Sequence, residues 1–256
     1  MAHDLKFEGF YYDYDQKFHY LSEIQNISNF EYETKYRNHI FCPECYKAKL
    51  LIYHIDNKIF LKSYPQSVHG KVNGHECYHS QDEAPQYVVK EYLTNLKKNN
   101  KLQSKLDSLI RIIERREFKN HSDNNSLNED TFTVNYKSKK TGASKNVALP
   151  RYSINQWYYL PEDTLFGIYG KVHIEVIYNR DKNDKNKTYT NWVLKNINTG
   201  KFITSVNASY YPNQINDGDY IFASFCMKKK VKTFYPMYLY DMKIGMTVKP
   251  LILQDS

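Results

Sequence analysis

Apolar positions along this chain of 256 residues change their period twice. Up to about residue 83, short aromatic and aliphatic runs alternate with polar stretches. Leu50-Leu51-Ile52-Tyr53 and Lys58-Ile59-Phe60-Leu61 read as two strands, and His54-Ile55-Asp56-Asn57 between them reads as a turn with His54 exposed. From residue 86 to 118 the spacing becomes three and four. Val89, Leu93 and Leu96, then Leu102, Leu106, Leu109, Ile110 and Ile113, define an amphipathic helical segment. Lys97-Lys98-Asn99-Asn100 either divides it into two helices or forms a polar shoulder on one. The stretch 119–149 is polar and turn-rich around one short alternating strand (Phe132, Val134, Tyr136), and it reads as a mobile linker.

From Pro150 onward the period is two. Residues 166–177 form a long first strand, with Gly167 and Gly170 predicting a bend. Residues 189–197 form a second strand, closed by the turn Asn198-Thr199-Gly200 before a third at 201–207. Asn216-Asp217-Gly218-Asp219 turns the chain into a fourth at 220–227, and Lys228-Lys229-Lys230-Val231-Lys232 leads to a fifth at 233–242. The expected fold class is α+β in four parts: a small module at 1–85, a basic amphipathic helical segment at 86–118, the linker at 119–149 and a five-stranded β-barrel at 150–256.

One cluster names a chemistry. Cys42-Pro43-Glu44-Cys45 presents two thiols to one ion, and about two dozen residues later His69, His75, Cys77 and His79 offer a second pair. This is the spacing of small structural zinc sites, in which four ligands close a tetrahedron. Cys42, Cys45, His69 and Cys77 are the most economical set, with His75 and His79 as alternates. A knuckle, a hairpin and then a second ligand pair give a zinc-ribbon-like layout.

Composition adds a bias toward polyanions. The net charge is +8 and there are 25 tyrosines, which serve either as stacking surfaces for bases or as amphipathic filling of β-rich cores. The helical segment carries Lys90, Lys97, Lys98, Lys101, Lys105, Arg111, Arg115 and Arg116, read either as a solvated face or as a nucleic-acid contact. No run is long enough to cross a bilayer, and residues 1–10 lack the apolar core of a secretory signal. With three of four cysteines in one cluster, a reducing cytoplasm is the expected location and Cys226 an ordinary buried thiol. The sequence has no GxxxxGK[ST], GxSxG or HExxH pattern. Asp217 and Asp219 would be the acidic pair of a nuclease, but Asp-Gly-Asp before a strand is also ordinary turn chemistry. The expectation is a protein that is not an enzyme.

Two resemblances extend this reading. Between about residues 160 and 248, the order of bent strand, polar loop, hairpin, short crossing, Gly-Asp turn and final hairpin resembles an OB-fold. The short 208–215 connection departs from that pattern by leaving no room for a helix. The resemblance implies binding of single-stranded nucleic acid, DNA more than RNA, through a basic and aromatic face. The phosphate contacts implied are Lys171, then Arg180, Lys182, Lys185 and Lys187 of the first loop, and Lys228, Lys229, Lys230 and Lys232 of the last. The stacking candidates implied are Tyr169, Trp192, Phe202 and Tyr235. The cluster at 41–79 resembles the zinc-finger-like front end of CoiA-type competence proteins, which implies a metal role for Cys42, Cys45, His69 and Cys77 and nothing more. Both OB barrels and zinc ribbons also serve as adaptors, inhibitors or subunits of nucleic-acid-processing enzymes, so a protein partner is the alternative.

Overall fold

The first half builds small antiparallel pairs around a shared aromatic and sulfur core. A computed structural model describes residues 7–55, 58–72, 74–118, 132–137, 142–180 and 188–251. In it the chain forms two units, 1–83 with 115–148 and 84–114 with 149–256. In the first unit, β1 (Gly9–Tyr12) and β2 (Lys17–Tyr20) form a hairpin, and β3 (Ile40–Phe41) adds to the other side of β1. Between them lies a short helix, α1 (Asn29–Glu31), whose N-terminus is closed by a capping box of Ser28 and Glu31. The hairpin of β4 (Leu50–Ile55) and β5 (Lys58–Ser63) follows, then the short pair β6 (Lys71–Val72) and β7 (His75–Glu76). His54 therefore pairs with Ile59 inside a strand, and residues 56–57 of the expected turn lie outside the described set.

Phe7, Phe10, Ile24, Ile40, Leu50 and Leu61 bury together with Cys42, Cys45 and Cys77. Arg116 reaches this unit with its guanidinium 4.7 Å from the Phe18 ring centroid and paired with the buried Glu8 carboxylate. His19 crosses the β1–β2 hairpin with both ring nitrogens engaged: Nε2 lies 2.8 Å from Asp15 and Nδ1 2.8 Å from Glu23. Two carboxylates require two N–H donors, so the ring is an imidazolium, stacked on Phe10. Burial opposes that charge, but the hydrogen bonds and fields of Glu23 and Asp15 prevail and hold the His19 pKa above its ordinary 6.5.

The expected linker is structured where it is described. β8 (Thr133–Lys137) pairs with β9 (Ser144–Ala148), and the Ala148 N–H donates to the Asp82 carbonyl at 2.8 Å. This hairpin belongs to the first unit. Residues 119–131 and 138–141 lie outside the described set.

The second unit begins with α2 (Gln86–Lys98) and α3 (Leu102–Phe118), most of which belongs here. The chain breaks between them at Asn100, whose φ of 56° stops a helix. β10 (Arg151–Ser153) and a 3-10 helix (Ile154–Tyr159) lead to the sixteen-residue strand β11 (Leu165–Arg180). Then come β12 (Thr188–Asn196), β13 (Phe202–Asn207), β14 (Gly218–Lys228), β15 (Met237–Leu239) and β16 (Met246–Pro250). β11 pairs antiparallel with both β12 and β14, β12 with β13, and β14 with β15. A parallel contact of Val206 with Met237 joins β13 to β15 and closes a ring of five strands. β10 and β16 add outside the ring, on β11 and β14.

The glycines of β11 are close-approach positions. A Cβ on Gly170 would stand 2.5 Å from Ile154 Cγ2, and one on Gly167 would stand 3.2 Å from Phe225 and 3.3 Å from Leu109. The helices are tied to the strands by polar contacts as well. Gln86 exchanges two hydrogen bonds with the Leu165 backbone, Thr94 meets the Tyr240 hydroxyl at 3.0 Å, and Lys97 pairs with Asp241 at 2.6 Å. The helical segment is therefore not a separate part. Of its basic stripe, Lys105 is buried and Lys97 and Arg116 are paired, while Lys90, Lys98, Lys101, Arg111 and Arg115 are exposed.

Lys228, at the end of β14, is buried with its ammonium donating to the carbonyls of Tyr158 (2.8 Å) and Leu160 (3.0 Å) and lying 4.4 Å over the Tyr235 ring. Burial lowers its pKa, against the pull of Glu162. Two outcomes are expected from these contacts. Lys228→Met strips two carbonyls of their donor and should cost about 2 kcal/mol, read from urea unfolding. Because the His19 pKa is raised on folding, its contribution is complete below about pH 6.5 and fades as pH rises through the raised value. The denaturation midpoint should therefore fall across that window in the wild type, and fall less in His19→Gln.

Candidate metal centre

Four side chains from three separate segments converge in the first unit. Cys42 and Cys45 follow β3 in a knuckle closed by two backbone bonds. The Cys42 N–H donates to the Ala48 carbonyl at 2.7 Å, and the Tyr46 N–H to the Cys42 carbonyl at 2.9 Å. Tyr46 takes a φ of 54°, a left-handed conformation in which glycine would be unstrained, and its ring packs 4.7 Å from that of Tyr11. His69 precedes β6. Cys77 leaves β7 and is fixed by a short 3-10 turn in which Ser80 returns its hydroxyl to the Cys77 carbonyl at 2.7 Å.

The ligand atoms of Cys42, Cys45, His69 and Cys77 all lie within 4.8 Å of one another. Cys42 Sγ is 3.7 Å from Cys77 Sγ, and Cys45 Sγ is 3.5 Å from His69 Nδ1. A tetrahedral ion with metal–sulfur bonds of about 2.3 Å and a metal–nitrogen bond of about 2.0–2.1 Å implies edges of about 3.8 and 3.6 Å. The geometry fits such an ion and is far too open for a disulfide. None of the described cysteines is in one. His69 Nε2 meets Ser63 Oγ at 2.9 Å; in the tautomer with the proton on that nitrogen, Nδ1 is the lone-pair atom that faces the cluster.

The thiols respond strongly to one another. Burial, then contact with Cys45 and Cys77, pushes the Cys42 thiol well up, while hydrogen bonds from Cys42 and Cys77 hold Cys45 far below the ordinary range. The Cys42 hydrogen bond pulls Cys77 down, but Cys45 and burial outweigh it and leave Cys77 at about 12. A divalent ion bound among them would favour the ionised form of all three thiols.

Of the alternates, His79 stacks on Phe7 at 4.4 Å and edges toward Tyr78, so it serves the apolar core and not the cluster. His75 sits in β7. Cys226 lies buried in β14, where burial raises its pKa, apart from this chemistry.

The residues expected on a nucleic-acid face divide into three groups. Trp192 is only 2% exposed and packs against Tyr211, and Tyr169 is likewise buried, so neither presents a ring to a ligand. Lys228 is 2% exposed and spends its charge on two carbonyls, which removes it from the phosphate contacts. Lys182, Lys185 and Lys187 lie outside the described residues. Arg180, Lys230, Lys232 and Phe202 are exposed, while Lys171, Lys229 and Tyr235 are half-buried, with the Lys229 ammonium 5.2 Å from the Tyr238 ring. Asp217 accepts from the Val176 N–H and Asp219 holds His173 Nδ1 at 2.8 Å, which is turn and cross-strand chemistry.

The pairing also locates the two lysine-bearing connections. Thr188, where β12 begins, is at the Asn207 end of β13, since Asn191 pairs with Asn207. The 228–236 connection is at the other end, where Thr204 donates to the Tyr235 carbonyl at 2.9 Å. The described ends of the two connections, Thr188 and Tyr235, thus lie toward opposite ends of β13.

No protein-family model, curated protein or solved structure matches this chain. Among the described residues no helix is long and apolar enough to cross a membrane.

Freshly purified protein should carry close to one equivalent of a thiolate-binding divalent ion, by elemental analysis. Cys45→Ser should lose nearly all of it together with the cooperative melting of the first unit. Full stability in a metal-free mutant would exclude a structural centre.

Proposed function

We propose that this is a non-enzymatic, zinc-containing protein that holds single-stranded nucleic acid, DNA in the first instance, on an OB-like barrel. Zinc is the ion best suited to three thiolates and one imidazole in a buried, four-coordinate setting, and the absence of an open position among the four ligands favours a structural role. In this reading the zinc-ribbon-like module shapes the first unit, and the cytoplasm is the compartment in which its thiols stay reduced.

The observation that carries the binding reading is the surface of β12 and β13, bordered at one end by Arg180 and Thr188 and at the other by the Lys229–Lys232 turn. A ring in which the first strand bridges the second and fourth, and the fifth runs parallel to the third, supports the OB-like assignment. Arg180, Lys230 and Lys232 would neutralise phosphates, with Lys171 and Lys229 as partly covered neighbours. Phe202 is the one residue of the expected stacking set that is well exposed.

The test is a titration of fluorescent single-stranded oligonucleotide, with a duplex control, at low and moderate salt. Single-strand binding that weakens as salt rises is the expected result. No binding at low salt would overturn the reading in favour of an adaptor that needs a protein partner.

A further inference from the structure

The segment before β11 is anchored far more firmly than its exposure calls for. In the 3-10 helix Ile154–Tyr159, Trp157 Nε1 donates to the Tyr235 carbonyl at 3.0 Å and Asn155 is bonded by Asn196 at 3.0 Å. The buried Lys228 ammonium holds the carbonyls of Tyr158 and Leu160. The Tyr158 hydroxyl donates to the Phe202 carbonyl at 2.8 Å, which fixes the ring next to the start of β13. Yet Tyr158 remains 52% exposed and Phe202 41%. Burying an ammonium is costly, and here it holds the backbone that carries Tyr158, whose ring stays in water. Fixed, exposed rings gain little for folding but lose little entropy when something stacks on them.

We propose that Tyr158 and Phe202 form a preset platform on which bases of a single strand stack, with Lys228 as the positioning residue beneath it. This rests on the nucleic-acid reading above and adds a residue from the 3-10 helix, Tyr158, beside the first residue of β13. The charge beside the platform fits that occupant. The connection whose Tyr235 carbonyl binds Trp157 and Thr204 also carries the exposed Lys230 and Lys232, within reach of a strand's phosphates. A duplex keeps its base faces stacked on one another and offers nothing to the rings.

The experiment compares full-length protein on labelled oligothymidylate and on an abasic strand of equal length, which keeps the phosphates and lacks the bases. Wild type should prefer the thymidylate strand. Tyr158→Ala and Phe202→Leu, each shown to be folded by its melting curve, should lower thymidylate affinity roughly tenfold and leave abasic binding unchanged. Phe202→Leu keeps apolar cover and removes only the ring face. Equal wild-type binding to both strands would overturn the platform while leaving a purely electrostatic interaction. Variants that lose both strands in parallel would show a structural role only, and would overturn it too. A wild type that binds neither strand would sink the platform and the nucleic-acid reading together.

Discussion

The first unit depends on bringing three buried sulfurs and a half-buried imidazole close to one another. Its strands are short: β3, β6 and β7 have two residues each, too few to hold a register alone. What aligns them is that Cys42, His69 and Cys77 sit at their ends and must meet. The aromatic layer around the cluster, Phe7 against His79 and Phe10 against His19, then closes on a point already defined. A core of this size is marginal by apolar burial alone, which is the circumstance in which small modules recruit a metal.

The second unit answers the same problem by topology. β11 is long enough to pair with β10, β12 and β14 along different stretches, and the one parallel contact between β13 and β15 removes the last open edge of the ring. Such closure needs backbones to approach where side chains would collide, hence glycine at 170 against Ile154. It also leaves the carbonyls of the 154–160 segment turned inward, where Lys228 satisfies two of them. The lysine that looked like part of a phosphate-binding tip is an internal donor.

That reversal shows where the sequence was readable and where it was not. Periodicity located all five ring strands, and cysteine spacing selected the four residues that come together, because both are local patterns with one physical meaning. The helical character of 86–118 was readable for the same reason, whereas Lys97-Lys98-Asn99-Asn100 left open whether it was one helix or two. Burial of single residues was not. Lys228 follows the seven apolar or small residues 221–227 and precedes two more lysines, so nothing local separates it from the turn; its fate is decided by carbonyls about seventy residues upstream. Lys105, Trp192 and Arg116 were misassigned on similar grounds. The β8–β9 hairpin escaped notice because Ser144-Lys145-Asn146 is as polar as a linker, and it takes its order from pairing with β8 and from Asp82. Tyr158 had no signal at all: its importance lies in a hydroxyl bonded across 44 residues.

The electrostatics follow from the same sorting. Acidic side chains are spent on particular partners: Glu8 on Arg116, Glu114 on Lys249, Glu175 on Lys195, Asp82 on Lys145 and Asp241 on Lys97. Each such pair is neutral, so the surplus of +8 must reside in the remaining basic groups. Among those described, Lys230 and Lys232 project from one connection, and Lys90, Lys98 and Lys101 from the helices. Phosphate contacts alone would bind without regard to strandedness. On the proposed reading, a preference for single strands would come from groups that recognise unpaired base faces, and the exposed Tyr158 ring, tied through its hydroxyl to the Phe202 carbonyl, is suited to that role.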